Sequence, residues 1–191
     1  MRKPREVINQ LSPQDALAVL KTLADSDANL ARRIAEIATE HLSEVDPQDV
    51  AEEVYYALES LQVENVWDRS GSTRYGYVEP YEVVDEMIDG AMTPYFDELV
   101  RYQKLKMDDE AMSFCKGLLS GLYRFEYECK TKFREWAPDY ALNYAEEVLG
   151  EWQAKSVSQE ALDGMNAFIQ KQLPKWERLQ RLLKGPRTTR R

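Results

Sequence analysis

The segment Trp67–Tyr81 reads Trp-Asp-Arg-Ser-Gly-Ser-Thr-Arg-Tyr-Gly-Tyr-Val-Glu-Pro-Tyr, and it separates two long runs of helical pattern. It combines two glycines, two arginines, three Ser or Thr hydroxyls and four large aromatic side chains. The other long stretches carry apolar residues at the three-to-four-residue spacing of amphipathic helices. The sequence therefore predicts an all-α protein in which this segment is a non-helical connection.

Length and composition agree with that prediction. The chain has 191 residues, of which 43% are hydrophobic and 31% charged, a mixture typical of a folded domain rather than a disordered chain. It contains only eight glycines and eight prolines, and most prolines stand where helices are expected to start. We predict a basic N-terminal arm at 1–11, one all-α domain at 12–184 and a basic tail at 185–191.

Three helix starts share one pattern, a capping residue followed by Pro, any residue and an acid. They are Ser12-Pro13-Gln14-Asp15, Asp46-Pro47-Gln48-Asp49 and Glu79-Pro80-Tyr81-Glu82. The starts are 34 and 33 residues apart, a spacing that suggests a repeated helix pair. Coincidence is the alternative, because this pattern begins helices in many proteins.

The apolar periodicity predicts eight or nine helices in antiparallel pairs, stacked as a short helical repeat or closed as a bundle. The short break at Asp25–Asp27 should join two antiparallel helices whose apolar stripes begin at Leu17 and Leu30. We expect Gly90 and Thr93-Pro94 to kink or divide one helix. Further helices are expected to start at Asp108, Ala137-Pro138-Asp139, Ser158 and Pro174.

Two stretches resemble known helical-hairpin families. Tyr102–Ala111, with the apolar run after it, resembles the turn of a tetratricopeptide pair, and Leu17–Leu42 resembles a HEAT-type pair. The chain is also similar to the helical regions that accompany SWIM-type zinc fingers, although the finger itself is absent. The Trp, Gly and closing Pro of the tetratricopeptide pattern are not found at their set positions. The resemblance implies a stacked α-hairpin scaffold of the kind commonly used to bind proteins.

The segment Trp67–Tyr81 is the candidate binding site. Its arginines suit bidentate contacts to carboxylate or phosphate, its hydroxyls add donors, and its aromatic rings suit a wall against a ligand. The predicted partner-binding residues are Trp67, Arg69, Ser70, Arg74, Tyr75, Tyr77 and Tyr81. The alternative is a loop folded back on the body, with Trp67 and Tyr77 filling the core and Asp68 paired with an arginine.

Five other residues have structural interpretations. Gly117 and Gly121 are four apart and allow another backbone to approach, either inside the domain or at a dimer face. His41 lacks partners at metal-ligand spacing and suits a helix C-terminus, so we predict no metal and no cofactor. Cys115 and Cys129 do not form a disulfide framework and are expected to be buried thiols of a cytoplasmic protein.

Charge is distributed unevenly along the chain. The net charge is −9, with +3 at residues 1–5 and +6 at residues 172–191, which leaves −18 for residues 6–171. An acidic body repels nucleic acid and anionic membranes, so contact with a polyanion would have to use the basic ends. We expect no signal peptide at the N-terminus, and no stretch is apolar enough to predict a membrane span.

The leading hypothesis is a non-enzymatic protein-interaction module that holds an acidic or phosphorylated segment at Trp67–Tyr81. The alternative is an accessory nucleic-acid protein that binds through Lys175, Arg178, Arg181, Lys184, Arg187, Arg190 and Arg191. A third hypothesis is an enzyme whose site is built from carboxylates, which lie on the helix faces opposite the apolar stripes, although no catalytic residues are predicted. Homo-oligomerisation is left open.

Overall fold

The computed structural model describes residues 4–74, 76–136, 139–155 and 157–184. Helices make up 80% of the structure, which confirms the all-α class. The described residues form eleven helices and one two-stranded sheet. In order, the elements are α1 (Pro4–Ile8), α2 (Pro13–Ser26), α3 (Ala28–Leu42), α4 (Pro47–Glu59), α5 (Val63–Arg69), β1 (Gly71–Thr73), β2 (Gly76–Val78), α6 (Pro80–Leu105), α7 (Asp108–Glu128), α8 (Lys132–Trp136), α9 (Tyr140–Gln153), α10 (Gln159–Gln172) and α11 (Glu177–Lys184).

The number of helices exceeds the predicted eight or nine because three of them are short. α1 and α8 have five residues each and α5 has seven, so none is long enough to show two full turns of apolar periodicity. The chain divides into two compact units, Met1–Glu44 and Val45–Arg191. We call them the hairpin unit and the main unit. The division falls inside the predicted domain 12–184, whose extent stays a prediction.

All three predicted cap-and-proline helix starts are present. The Ser12 hydroxyl accepts a hydrogen bond from the Asp15 amide at 3.2 Å, and the Asp15 carboxylate accepts one from the Ser12 amide at 3.3 Å. The Asp46 carboxylate accepts from the Gln48 amide at 2.8 Å. These contacts satisfy amides that have no partner within the helix, and they explain why α2 and α4 begin where they do. The repeat suggested by their spacing stays a prediction.

The hairpin unit consists of α1, α2 and α3. Asp27 is the only residue between α2 and α3, and its carboxylate accepts hydrogen bonds from the amides of Asn29 and Leu30. α2 and α3 pack against each other, and their half-buried residues are Ala16 and Ala24 on α2, and Ala31, Ile34 and Leu42 on α3. No residue between 5 and 44 is buried.

The core of the main unit surrounds α7, which packs against α4, α6, α9 and α10. Gly117 and Gly121 lie where α4 crosses α7. A Cβ atom at position 117 would lie 2.6 Å from the Val50 Cβ, and one at 121 would lie 2.8 Å from the Ala51 carbonyl oxygen. The two glycines therefore allow close packing inside the domain, as the first of the two interpretations predicted.

Some helix boundaries differ from prediction. α6 is continuous from Pro80 to Leu105, so Pro94 does not divide it, and the N-cap of α7 is Met107 rather than Asp108. α9 begins after Asp139, and the predicted start residues Ala137 and Pro138 lie outside the described residues. Pro174 lies in a turn, and the last helix begins three residues later at Glu177.

One buried polar side chain joins α6 to α9. The Gln103 amide nitrogen donates hydrogen bonds to the carbonyl oxygens of Glu151 at 2.9 Å and Trp152 at 3.4 Å. These carbonyls belong to the last turn of α9, where carbonyl groups lack partners within the helix. Gln103 therefore caps a helix that lies 48 residues further along the chain.

None of the helices in the described part of the chain combines the length and apolar character needed to cross a membrane.

Candidate functional site

The predicted site begins in a helix, which corrects the expectation of a non-helical segment. α5 extends through Trp67, Asp68 and Arg69, and the Ser70 amide closes it with a hydrogen bond to the Val66 carbonyl at 3.0 Å. Val66 is fully buried and anchors α5 to the main unit, so Trp67 and Arg69 are presented from a fixed helical turn.

A β-hairpin follows α5 directly, so this part of the segment is non-helical, as predicted. β1 and β2 pair antiparallel, with Gly71 opposite Val78, Ser72 opposite Tyr77 and Thr73 opposite Gly76. Both glycines have positive φ values, 99° at Gly71 and 132° at Gly76, which side chains with a Cβ rarely adopt. They therefore set the entry and the turn of the hairpin.

Arg74 lies in the hairpin turn, and its side chain is exposed. Tyr75, a predicted site residue, lies outside the described residues. Ser70 is half-buried at the end of α5, where its backbone has a structural role.

Trp67 is the most informative of the predicted residues. It is 54% exposed, and its ring packs edge-on against Trp136, which is 38% exposed, with 4.7 Å between ring centroids and 86° between planes. Two tryptophan rings thus support each other at the surface, in an arrangement that the aromatic quadrupole favours. Because α8 carries Trp136, two segments that lie 69 residues apart form one aromatic feature.

Tyr77 on β2 and Tyr81 in the first turn of α6 are also exposed, at 64% and 60%. The alternative in which Trp67 and Tyr77 fill the core is therefore wrong, because both rings face outward. We define the aromatic surface as the contacting pair Trp67 and Trp136, together with the exposed Tyr77 and Tyr81 of the segment that follows α5.

Arg69 is engaged by an ion pair. Its guanidinium lies 2.7 Å from the Glu86 carboxylate, which joins the end of α5 to α6 below the hairpin. This contact engages Arg69 with Glu86, and the expectation that Asp68 pairs with an arginine stays a prediction. Both partners are largely exposed, so the pair contributes little to stability and remains open to exchange.

The surroundings of Arg69 are acidic. Five carboxylates lie between 79 and 89 with no Lys or Arg among them: Glu79, Glu82, Asp85, Glu86 and Asp89. Partial burial raises the pKa of the Asp85 carboxyl above its ordinary value, and the neighbouring carboxylates of Asp89 and Glu82 raise it further. Arg69 therefore lies at the edge of a negative field.

Trp136 and Glu86 are the functional neighbours that the sequence did not indicate. Trp136 stands next to a predicted helix start, and Glu86 is one of many surface-patterned carboxylates. Only the packing of α5 against α6 and the approach of α8 bring them to Trp67 and Arg69.

The other candidate residues have structural surroundings. Cys115 and Cys129 are buried and free, and burial raises the pKa of the Cys115 thiol, which keeps it protonated and unreactive. His41 lies in the last turn of α3, as predicted, and is exposed. Within the described ranges, no three His, Cys, Asp or Glu side chains are grouped as a metal site.

A cleft of about 500 Å³ lies between α4, α7 and α10. Its walls include Asp46, Glu52, Arg124 and Phe168. Arg124 stacks over the Tyr55 ring at 4.8 Å and pairs with Glu128 at 3.3 Å, and neither cleft carboxylate is buried. Because a catalytic carboxylate relies on burial and charged neighbours to shift its pKa, these two exposed carboxylates give no support to the hypothesis of an enzyme built from carboxylates.

Two basic side chains of the C-terminal set also have partners in the main unit. Arg178 forms an ion pair with Glu146 on α9, and the Lys175 ammonium lies 4.1 Å from the centre of the Tyr127 ring. Residues 185–191, which carry three further arginines of the set, lie outside the described residues.

No protein-family model, no curated protein and no solved structure matches the chain. The resemblance to tetratricopeptide, HEAT and SWIM-associated helices therefore stays a prediction.

Proposed function

We propose that this protein is a non-enzymatic interaction module that binds a segment of a partner protein at the aromatic surface. The observation that carries the proposal is the Trp67–Trp136 pair. Two tryptophans in mutual contact at the surface are rare in a monomer because they would be more stable in a core. Trp and Tyr are also the side chains that contribute most at protein interfaces, since they bury a large area with few rotatable bonds.

The anchoring of this surface favours binding. Trp67 is held by α5, whose Val66 is buried, and the Arg69–Glu86 ion pair connects α5 to α6. A surface whose rings are already positioned loses less conformational entropy when a ligand binds.

The finer hypothesis is that the bound segment is acidic or phosphorylated and is held by Arg69 and Arg74. It requires the ligand carboxylate or phosphate to replace Glu86 on Arg69. Replacement is feasible because an exposed ion pair contributes only about 0–1 kcal/mol, whereas a bidentate phosphate contact is stronger. Glu86→Gln leaves Arg69 without that competitor, so it should tighten binding of an acidic ligand. For a neutral or basic ligand it should leave affinity unchanged or reduce it.

The test is capture of partners from native lysate, identified by mass spectrometry, with the wild type and four variants. Trp67→Ala and the double variant Arg69→Glu/Arg74→Glu alter the site. Tyr56→Ala is the matched control, because Tyr56 is an equally exposed aromatic residue (58%) on α4. A deletion of 185–191 tests the tail, and nuclease treatment of half the samples removes bridging by nucleic acid.

A partner that is lost with Trp67→Ala and retained with Tyr56→Ala supports the proposed site. A partner that both variants retain contradicts it. If the double arginine reversal retains every partner while the fold is intact, the acidic-segment hypothesis is wrong even where the aromatic surface is right.

The second candidate is a nucleic-acid-associated protein that binds through the basic C-terminal residues. The +6 charge of residues 172–191 favours it. The ion pair of Arg178 with Glu146 weighs against it, since that contact already offsets one of the charges. Recovery that depends on the tail, disappears with nuclease and falls steeply with salt would support this candidate instead.

We further propose a cytoplasmic location, which the two free, buried cysteines favour.

A further inference from the structure

The hairpin unit exposes many large apolar side chains that its own helices do not bury. Residues 5–44 contain no buried side chain, yet they hold eight of the sixteen large hydrophobic residues that are exposed in the described chain. These eight are Val7, Ile8, Leu17, Val19, Leu20, Leu23, Leu30 and Ile37. A two-helix hairpin cannot bury enough apolar surface to be stable alone, so this surface needs a second layer.

Helical geometry collects part of this surface on one side of the hairpin. Because α2 and α3 contact each other, we place that contact at their half-buried residues Ala16, Ala24, Ala31 and Ile34. About a quarter turn from that contact, α2 presents Val19 and Leu23, and α3 presents Leu30 and Ile37. On both helices the quarter turn is taken in the same rotational sense. Because the helices are antiparallel, these four apolar residues therefore lie on the same side of the hairpin. The other side carries polar residues of α3 such as Arg32 and Thr39.

The charged residues along this apolar side could pair with the same residues of a second copy. Leu30, Arg33, Ile37 and Glu40 follow one another at spacings of three, four and three residues, so they form one stripe along α3. Arg33 and Glu40 lie on either side of Ile37. A twofold axis perpendicular to α3 beside Ile37 would pair Arg33 of each copy with Glu40 of the other. A parallel arrangement would instead place like charges together.

We propose that the hairpin unit binds a second copy of this chain through that side, forming an antiparallel four-helix bundle from α2 and α3 of both copies. Ile37 meets Ile37 at the axis, with an Arg33–Glu40 pair on each side. Val19, which lies near the level of Ile37 in the hairpin, meets Val19 of the other copy.

Net charge also favours this unit as the self-association surface. Residues 1–44 contain six basic and seven acidic side chains, a net charge of −1, which leaves −8 for residues 45–191. A nearly neutral surface permits two copies to approach, whereas the acidic main units repel each other. This proposal is independent of the aromatic surface, which belongs to the main unit.

The test is the oligomeric state of the full chain in analytical ultracentrifugation. We expect a dimer of twice the chain mass of 22.2 kDa at about 10 µM, a concentration above the Kd of a typical specific interface. At the contact between the two α3 helices, Arg33→Glu gives each copy two acidic residues, and Glu40→Arg gives each copy two basic residues. Like charges then face each other, so each single variant should weaken the homodimer at least about tenfold.

Mixing the two single variants tests whether these charges face each other across the interface. In an antiparallel pair, the acid introduced at position 33 of one chain meets the base introduced at position 40 of the other. The unchanged Glu40 of the first chain meets the unchanged Arg33 of the second, so the mixture should form heterodimers with an affinity near that of the wild type.

Arg32→Glu is the matched control for these variants. It makes the same charge change at the neighbouring position on the polar side, and it should leave the dimer unchanged. Far-UV circular dichroism checks that each variant folds.

Three outcomes would overturn the proposal. The wild type could be monomeric up to about 100 µM, which would mean that another protein or another part of the same chain covers the apolar side. The dimer could persist unchanged in both single variants. The mixture could fail to form heterodimers although both variants fold, which would exclude the antiparallel seam.

Discussion

Gly121 of α7 lies so close to Val54 of α4 that a Cβ atom at position 121 would be 2.7 Å from the Val54 Cβ. The Ala51 carbonyl oxygen would be 2.8 Å from the same atom. Because a backbone oxygen cannot rotate away as a side chain can, α4 and α7 would have to separate to accept any larger residue. This contact fixes the distance between the two central helices of the main unit.

We therefore predict that Gly121→Ala destabilises the protein by about 2 kcal/mol, since overpacking outweighs the higher helix propensity of alanine. Gly150→Ala is the control, because Gly150 lies within α9 and nothing is within 4 Å of an added Cβ. That change should stabilise the protein by about 0.5–1 kcal/mol. Urea unfolding measures both. If Gly121→Ala stabilised the protein as Gly150→Ala does, the close contact between α4 and α7 would be wrong.

A second prediction concerns the long-range helix cap at Gln103. Gln103→Leu removes the donor that the Glu151 and Trp152 carbonyls share, and it should lower the free energy of unfolding by about 1 kcal/mol. Hydrogen exchange should increase in the last turn of α9 in particular. Gln170→Leu is the control for the loss of an exposed helical glutamine. Equal effects of the two substitutions would show that the cap does not contribute.

The third prediction follows from the raised pKa of Asp85. The folded state holds the Asp85 proton more tightly than the unfolded state, whose carboxyl has the ordinary value of 3.8. The ionised carboxylate therefore destabilises the fold at pH values above the folded pKa, and its effect disappears below the unfolded pKa. Asp85→Asn should raise the urea midpoint at neutral pH, and the gain should vanish as the pH falls below 3.8.

Asp97→Asn controls for the change of residue type, because Asp97 is an exposed residue of the same helix. A gain for Asp85→Asn that persists unchanged in acid would show that its cause is not the ionisation of Asp85.

The sequence was most informative where structure is local. The caps at Ser12 and Asp46 depend on four consecutive residues, and both were predicted correctly. The glycine pair at 117 and 121 indicated a close approach, although not that α4 is the helix that approaches. The helical turn at Trp67–Arg69 was missed, because α5 has only seven residues and the glycines and hydroxyls after it dominate the local composition.

Contacts between distant segments could not be predicted. Trp136 meets Trp67 only because α8 folds back near α5, and no pattern in either segment encodes that approach. The apolar stripes of α2 and α3 were recognised, but periodicity alone does not show whether a stripe is covered. In this structure Leu30 and Ile37 remain exposed, at 42% and 51%.

The aromatic surface is the central claim, and the affinity of a partner isolated by capture tests it most directly. Isothermal titration calorimetry would compare the wild type, Trp67→Ala and Tyr56→Ala with that partner. If Trp67 is an anchor of the interface, Trp67→Ala should weaken binding at least about thirtyfold, the effect of losing about 2 kcal/mol at a hot spot. Tyr56→Ala should leave the Kd within about twofold. Equal affinities of all three proteins would contradict the account.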